Sequence, residues 1–312
     1  MNSYCILGLG AVGSIIGLHV FRATGQPPIA VIRSGSLYPA RVFLEGVITA
    51  SYPIQPYRGR PPNTCRLTIV ATKAYDAPSA VEKASSWSEM VAVAGNGWGG
   101  YERAVELGLN AAAIVTDYGA ARLAPRLVRV TGRGGFVVGS RGRPSNAAVE
   151  AHLVLSRGGA RSILAWDIEG WRWLKASANA GINPVTALLG VRNGFILEDS
   201  DAWRLASRAA LEVEEVAKAL GVELPLGAVS YLRSVALATY DNLSSTLQDL
   251  EACRRVEAEE ILGYVVESGA RAGVRPATVE ALYRLLKSAW RARCRASRSR
   301  IKSAGLQHSR LG

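Results

Sequence analysis

Apolar residues in the first half of the chain gather in short runs separated by segments of helical character. Runs at 4–9, 28–33, 66–71, 90–94 and 111–116, and later at 134–138 and 161–165, predict strands. Several are apolar at nearly every position, which is the pattern of strands covered on both faces. Helices are expected between them at 12–24, 78–86 and 100–107. Strand and helix in alternation imply a doubly wound, mainly parallel sheet.

From Trp171 onward the periodicity becomes helical. Residues 202–220 are rich in Ala, Leu and Glu and stop at Gly221, a good C-terminal signal. Segments 257–272 and 277–293 repeat the pattern, and Pro184, Pro225 and Pro276 punctuate it. The expected class is α/β, with a doubly wound sheet over residues 1–166, an all-helical domain over 167–290, and a basic tail over 291–312. There is no internal repeat.

Composition narrows this picture. A chain of 312 residues is long enough for two domains. Nearly half its residues are apolar, yet no run approaches the ~18 residues of a membrane span. The N-terminus enters an apolar run without the basic region and cleavage site of a signal peptide, so a cytoplasmic location without a membrane partner is expected. Cys5, Cys65, Cys253 and Cys294 are scattered, with no C-x-x-C pair. Reduced thiols and no metal site are expected. His19, His152 and His308 are equally dispersed, and His19 is read as a packed or solvated helix residue. Of the formal charge of +12, seven units lie in residues 291–312, which hold no acid, leaving +5 for the rest. The tail is read as a solvated, partly disordered extension. Binding of RNA through it is the sharper alternative, and no nucleic-acid partner is expected.

The first chemical signal is Gly8-Leu9-Gly10-Ala11-Val12-Gly13, a G-x-G-x-x-G that follows an apolar run and opens a helix. The first glycine permits a tight turn and the second a close approach of pyrophosphate to the backbone. The third lets helix pack on strand, while the helix N-terminus favours phosphate. A Rossmann-type dinucleotide domain is the expectation. At the end of the second expected strand stands Arg33, with no acid until Glu45. A cation there suits the 2′-phosphate of NADP(H), whereas an acid would suit the ribose of NAD(H). NADP(H) is favoured, with NAD(H) as the alternative.

Several further segments resemble the ketopantoate reductase family. Thr72-Lys73-Ala74 resembles its T-K-A segment and Asn96-Gly97-Trp98-Gly99 its N-G-x-G, each at the end of an expected strand. Lys175-Ala176-Ser177-Ala178-Asn179-Ala180-Gly181-Ile182-Asn183-Pro184-Val185-Thr186-Ala187 resembles K-x-x-x-N-x-x-x-N-P-x-T-A. Asn193-Gly194 resembles a further family asparagine. Residues 242–249 resemble N-x-S-S-x-L-Q-D, and Arg254-Arg255-Val256-Glu257 resembles R-x-T-E with Val256 in place of the usual polar residue. Gly95 stands where the family often has Gln or His. The resemblance runs from about residue 4 to about residue 290. Independently of it, Lys175, Asn179 and Asn183 recur at i, i+4 and i+8, so one ammonium and two amides share a helix face. Pro184 argues for an end or kink of that helix near Asn183. A solvated stripe would explain the amphipathicity, but not why it consists of amides and one lysine among small residues.

The resemblance implies hydride transfer from a nicotinamide to the C2 ketone of 2-dehydropantoate. It implies Lys175 as general acid, with Asn179, Asn183 and Asn193 holding substrate oxygens and Ser245 the carboxylate. Asn96 would stand between cofactor and substrate, Lys73 close to the cofactor, and Glu257 at the cofactor ribose. A homodimer is also implied. The alternatives are a dehydrogenase of another 2-keto or 3-hydroxy acid, or a dinucleotide-binding regulator without turnover.

Overall fold

The computed structural model describes residues 3–32 and 40–308, with side chains to residue 294. Its Cα framework divides into two compact units, Met1–Lys175 and Ala176–Gly312. The first unit opens with β1 (Tyr4–Leu7), α1 (Ala11–Thr24), β2 (Ile29–Ile32), β3 (Arg41–Gly46), β4 (Ala50–Pro53) and β5 (Gln55–Arg58). It continues with β6 (Cys65–Val70), α2 (Ala77–Ser85), β7 (Ser88–Ala94), α3 (Gly100–Glu106) and β8 (Ala111–Thr116). Then come β9 (Gly119–Ala124), β10 (Leu127–Gly132), β11 (Phe136–Gly139), α4 (Asn146–Arg157) and β12 (Ser162–Leu164).

Eight strands form one sheet in the order β12-β11-β8-β7-β6-β1-β2-β5, parallel except where β11 meets β8. The order reverses direction at β1, with β2 on one side and β6 on the other. That reversal is the switch point at which open sheets of this kind hold ligands. Side-chain alternation explains the double cover. Ile6 enters a core with Ile15 and Ile16 of α1 and Ala148 and Ala151 of α4. Its neighbours Cys5 and Leu7 enter the opposite core with Ala80 and Val81 of α2 and Tyr101 and Ala104 of α3. Each large apolar side chain so buried contributes about 1.5–3 kcal/mol.

A second sheet, β4-β3-β10-β9, has no counterpart in the expected strands, and neither does β5. β3 does alternate, burying Val42 and Leu44, but it is short and pairs in parallel with β10, some eighty residues away. Tyr52 of β4, fully buried, anchors this sheet by donating its hydroxyl hydrogen to the Ser14 carbonyl of α1 at 2.7 Å.

The thiol expectation is overturned for two residues. Cys5 and Cys65 form a disulfide between adjacent strands β1 and β6, with Cα atoms 5.9 Å apart and both residues fully buried. Cys253 and Cys294 are free. His19 is packed: it is buried on α1, and its Nδ1 lies 2.9 Å from the Gly158 carbonyl at the end of α4.

The helix α5 (Glu169–Leu189) carries the boundary between the units, after Lys175. It does not end near Asn183 but continues through Pro184, with Thr186 Oγ1 donating to the Ile182 carbonyl at 2.9 Å. There follow α6 (Phe195–Glu198), α7 (Ser200–Ala219), α8 (Ala228–Ala238), α9 (Ser245–Glu251), α10 (Tyr264–Ala272) and α11 (Ala277–His308). α7 buries a row of small residues and is capped by Asp199, whose carboxylate accepts from the Asp201 and Ala202 amides. Glu212 of α7, buried, accepts from the Val279 amide at 3.0 Å and so satisfies the first turn of α11. The helix expected from 257 begins instead with a π-helical segment, Glu259–Gly263, ahead of α10. The backbone of α11 is helical through His308, where a partly disordered extension was expected. No helix among the described residues is long and apolar enough to cross a membrane.

Candidate functional site

The turn from β1 to α1 uses its three glycines differently. Gly8 has φ +103, and a Cβ there would lie 2.7 Å from the Ala71 carbonyl oxygen and 2.9 Å from Thr72 Cγ2. A Cβ on Gly13 would fall inside contact distance of the Gly8 carbonyl and 3.2 Å from Ala71 Cβ. Both positions are therefore used up by packing of turn, helix and strand. Gly10 differs: a Cβ there would meet nothing within 4 Å, so its backbone faces open space. Gly10 also caps α1, whose first turn contains no acid, so the positive end of the helix is uncancelled. Leu9, Ala11 and Val12 complete the turn and are half-buried.

Two further turns adjoin this one at the C-terminal ends of neighbouring strands. After β6 comes Thr72, whose hydroxyl is buried with no hydrogen-bond partner among the described residues. Sequence reasoning quoted Thr72 within the T-K-A segment but gave it no role. Lys73 is half-buried and starts a 3₁₀ turn, its carbonyl accepting from the Asp76 amide at 2.9 Å. After β7, Gly95–Gly99 carries the half-buried Asn96, with Gly97 and Gly99 at φ +76 and +109. A Cβ on Gly95 would stand 3.6 Å from the Thr72 carbonyl oxygen, so these turns touch. An open glycine at a helix N-terminus, beside an orphaned hydroxyl at the sheet's switch point, fits a dinucleotide's phosphates and hydroxyls. Arg33 lies outside the described residues. The preceding Ile32 pairs with Arg58 of β5.

On α5, the residues around the expected stripe are buried, Ala176, Ser177, Ala178 and Ala180 among them. Lys175, Asn179 and Asn183 are only half-buried, so the polar face is not the packed face. Desolvation lowers the Lys175 pKa from its ordinary value, with the Asp117 carboxylate acting in the opposite sense. The remaining expected residues lie in the helical unit. Asn193 is buried, donating from Nδ2 to Thr239 Oγ1 at 3.0 Å, while its Oδ1 has no partner among the described residues. Ser245 is exposed at the first position of α9. The preceding Ser244 is the buried cap, accepting from the Leu247 amide and lying 3.1 Å from the Thr186 hydroxyl. Glu257 is buried just before the π-helical segment, and its carbonyl accepts from the Ile261 amide. Among the described residues, no group of three or more His, Cys, Asp or Glu could hold a metal ion.

The family model described as Ketopantoate reductase PanE/ApbA matches residues 4–143, and that described as Ketopantoate reductase PanE/ApbA C terminal matches residues 167–289. The chain is 39% identical over 283 residues to the 2-dehydropantoate 2-reductase of Pyrobaculum aerophilum, covering 91% of this chain and 96% of the relative. Among solved structures, the 2-dehydropantoate 2-reductase of Geobacter metallireducens GS-15 superposes with a TM-score of 0.83 at 24% identity, covering 92% and 99% of the two chains. A D-mandelate dehydrogenase in ternary complex with NADH and anilino(oxo)acetate superposes with a TM-score of 0.81 at 18% identity, covering 93% and 99%. Both structures share the fold. With both family models matched in order and a relative at this identity over nearly the whole chain, the protein belongs to the ketopantoate reductase family.

Proposed function

We propose that the chain reduces the C2 ketone of 2-dehydropantoate to (R)-pantoate with NADPH. The nicotinamide supplies the hydride when bound. The Lys175 ammonium would give its proton to the oxygen of the reduced ketone. Asn179, Asn183 and Asn193 hold substrate oxygens, and Ser245 takes the carboxylate. Asn96 fixes the carbonyl, Lys73 lies near the cofactor, and Glu257 anchors its ribose. The Gly8–Gly13 turn holds the pyrophosphate, and Arg33 reads the 2′-phosphate.

The observation that carries this reading is the half-buried face of α5. There a lysine whose pKa is lowered by desolvation stands in line with two uncharged amides. A lowered pKa makes a lysine a stronger acid, and its ammonium form stabilises a developing alkoxide. NADPH consumption that depends on 2-dehydropantoate, followed by absorbance, tests the reaction. Lys175→Ala should abolish turnover while fluorescence titration shows NADPH still bound. Near-normal turnover would remove Lys175 from its role. Arg33→Ala should raise the KM for NADPH far more than that for NADH, and equal effects would mean that Arg33 does not read the phosphate.

A second reading, reduction of a different 2-oxo acid with NADH, is favoured by the likeness to the D-mandelate dehydrogenase, and a substrate panel separates the two. The homodimer belongs to the main reading. Leu226, Leu237 and Leu285 of the helical unit are 54%, 56% and 56% exposed, as an apolar interface would leave them in a single chain. A monomeric mass by light scattering would refute it.

A further inference from the structure

Arg172 stands on α5, three residues before Lys175, and only 7% of it is exposed. Its Nη1 donates to Glu102 Oε1 at 2.6 Å and to Glu169 Oε1 at 2.9 Å. Its Nη2 donates to Glu102 Oε2 at 3.2 Å and to the Gly97 carbonyl at 3.4 Å. The rings of Trp98 and Tyr101 have their centroids 5.4 Å and 5.2 Å from Cζ. Glu102 also accepts from the Gly99 amide at 2.7 Å, and Arg141 reaches Glu169 at 3.4 Å. Two carboxylates thus face two guanidiniums, and charge balances locally.

A buried ion pair is weak evidence for stability, because desolvation offsets its attraction. What a guanidinium adds is direction, since its donors leave one plane in a fixed fork. Here the fork ends on one loop. It touches Gly97 directly and Gly99 through Glu102, and it lies against the Trp98 ring. That loop carries Asn96, and the helix that bears Arg172 carries Lys175.

We propose that Arg172 is a positioning residue, which fixes the Gly95–Gly99 loop against the first turns of α5. It thereby holds Asn96 and Lys175 in the one arrangement that delivers hydride and proton to the same carbonyl. The inference rests on the reading of Lys175 as the acid. Misplacing a reacting group by ~1 Å costs on the order of 100-fold in rate.

The test uses the full chain with Arg172→Lys, Arg172→Met, and the combined Arg172→Met/Glu102→Gln/Glu169→Gln. The combined variant leaves neither Glu102 nor Glu169 as an uncompensated buried charge, so it keeps the test open if Arg172→Met fails to fold. Melting temperature, NADPH affinity, kcat and the KM for 2-dehydropantoate are measured for each, with turnover assayed well below the lowest melting point. In the folded variants kcat should fall about 100-fold, with NADPH affinity nearly unchanged. Arg172→Lys, which keeps charge but loses the fork, should recover part of the loss. Wild-type kcat in any folded methionine variant overturns the inference. So does a parallel decline of kcat, NADPH affinity and melting temperature, which marks a merely structural residue. Lys175→Ala run alongside separates the two failures: turnover there removes the acid assignment itself, whereas inactivity there beside active Arg172 variants removes only the positioning role.

Discussion

The Cys5–Cys65 bond gives a stability prediction that follows from topology. The two sulfurs close a loop of sequence separation 60 between neighbouring strands. In the chain-entropy treatment, closing about 60 residues removes about 14 cal/mol/K from the unfolded ensemble, or about 4 kcal/mol at 25 °C. For a cooperative unit of this size each kcal/mol moves Tm by about 2–4 °C, so losing the bond should lower Tm by about 8–16 °C. Residual structure in the unfolded chain would bring the result toward the lower end.

The assay has two parts. Because both cysteines are fully buried, reductant reaches the bond only when the chain opens. Protein unfolded in guanidinium without reductant should therefore show two reactive thiols, Cys253 and Cys294, and four after reduction. Calorimetry of protein reduced during unfolding and refolded, or of Cys5→Ala/Cys65→Ala, should then show the fall in Tm. Four thiols at the outset would show that no bond exists. Two thiols with an unmoved Tm would refute the entropy argument while leaving the bond in place.

The glycine turn gives a paired test. Gly13→Ala drives a Cβ into the Gly8 carbonyl and should cost about 1–3 kcal/mol of stability in urea unfolding. Gly10→Ala meets nothing in the fold, so it should melt like the wild type yet bind NADPH at least about tenfold more weakly, about 1.4 kcal/mol. Equal NADPH affinity for Gly10→Ala would mean that the cofactor does not approach that backbone. Burial pushes the His19 pKa below its ordinary value, against the opposing effect of its bond to Gly158. The unfolded chain then binds the proton first, so His19's contribution is complete above about pH 6.5 and is lost as pH falls below that value toward the lowered native pKa. The urea midpoint should decline with acid over that window in the wild type and hold in His19→Leu, and matching slopes would exclude His19 as the cause.

How much of the fold could be read from the sequence depended on where each element finds its partners. The central strands are legible because burial on both faces leaves nearly continuous apolar runs, as in Val91–Ala94. β9 carries no such mark: its outer residues are exposed, and it is a strand because β10 supplies its hydrogen bonds. The sequence reading missed α4, although Ser145 caps it by accepting from the Ala148 amide, because its apolar positions are interrupted by Glu150 and His152 and make a weak pattern. Of the end or kink expected at Pro184, the end does not occur: a proline removes one helical hydrogen bond, yet α5 runs through it to Leu189, with the Thr186 hydroxyl bonded to the Ile182 carbonyl.

The site divides along the same line. Gly8 and Gly13 answer to packing needs of one strand-to-helix junction, so their spacing is legible in the sequence, whereas Gly10 meets nothing in the fold. The orphaning of the Thr72 hydroxyl depends on tertiary burial, and the Glu102 carboxylate that meets Arg172 lies 70 residues upstream. Net charge was the least informative reading, because it counts arginines without regard to partners. Arg66 is matched by Glu150, Arg103 by Glu82 and Glu106, and Arg172 by Glu102 and Glu169. A guanidinium neutralised within 3 Å adds little to the field at a distance, so these residues act by shaping the protein around them. Attraction of an anionic ligand then falls to groups without such a match in the same turn. The N-terminus of α1, with no acid in its first turn, is one, and it lies where the open glycine leaves room.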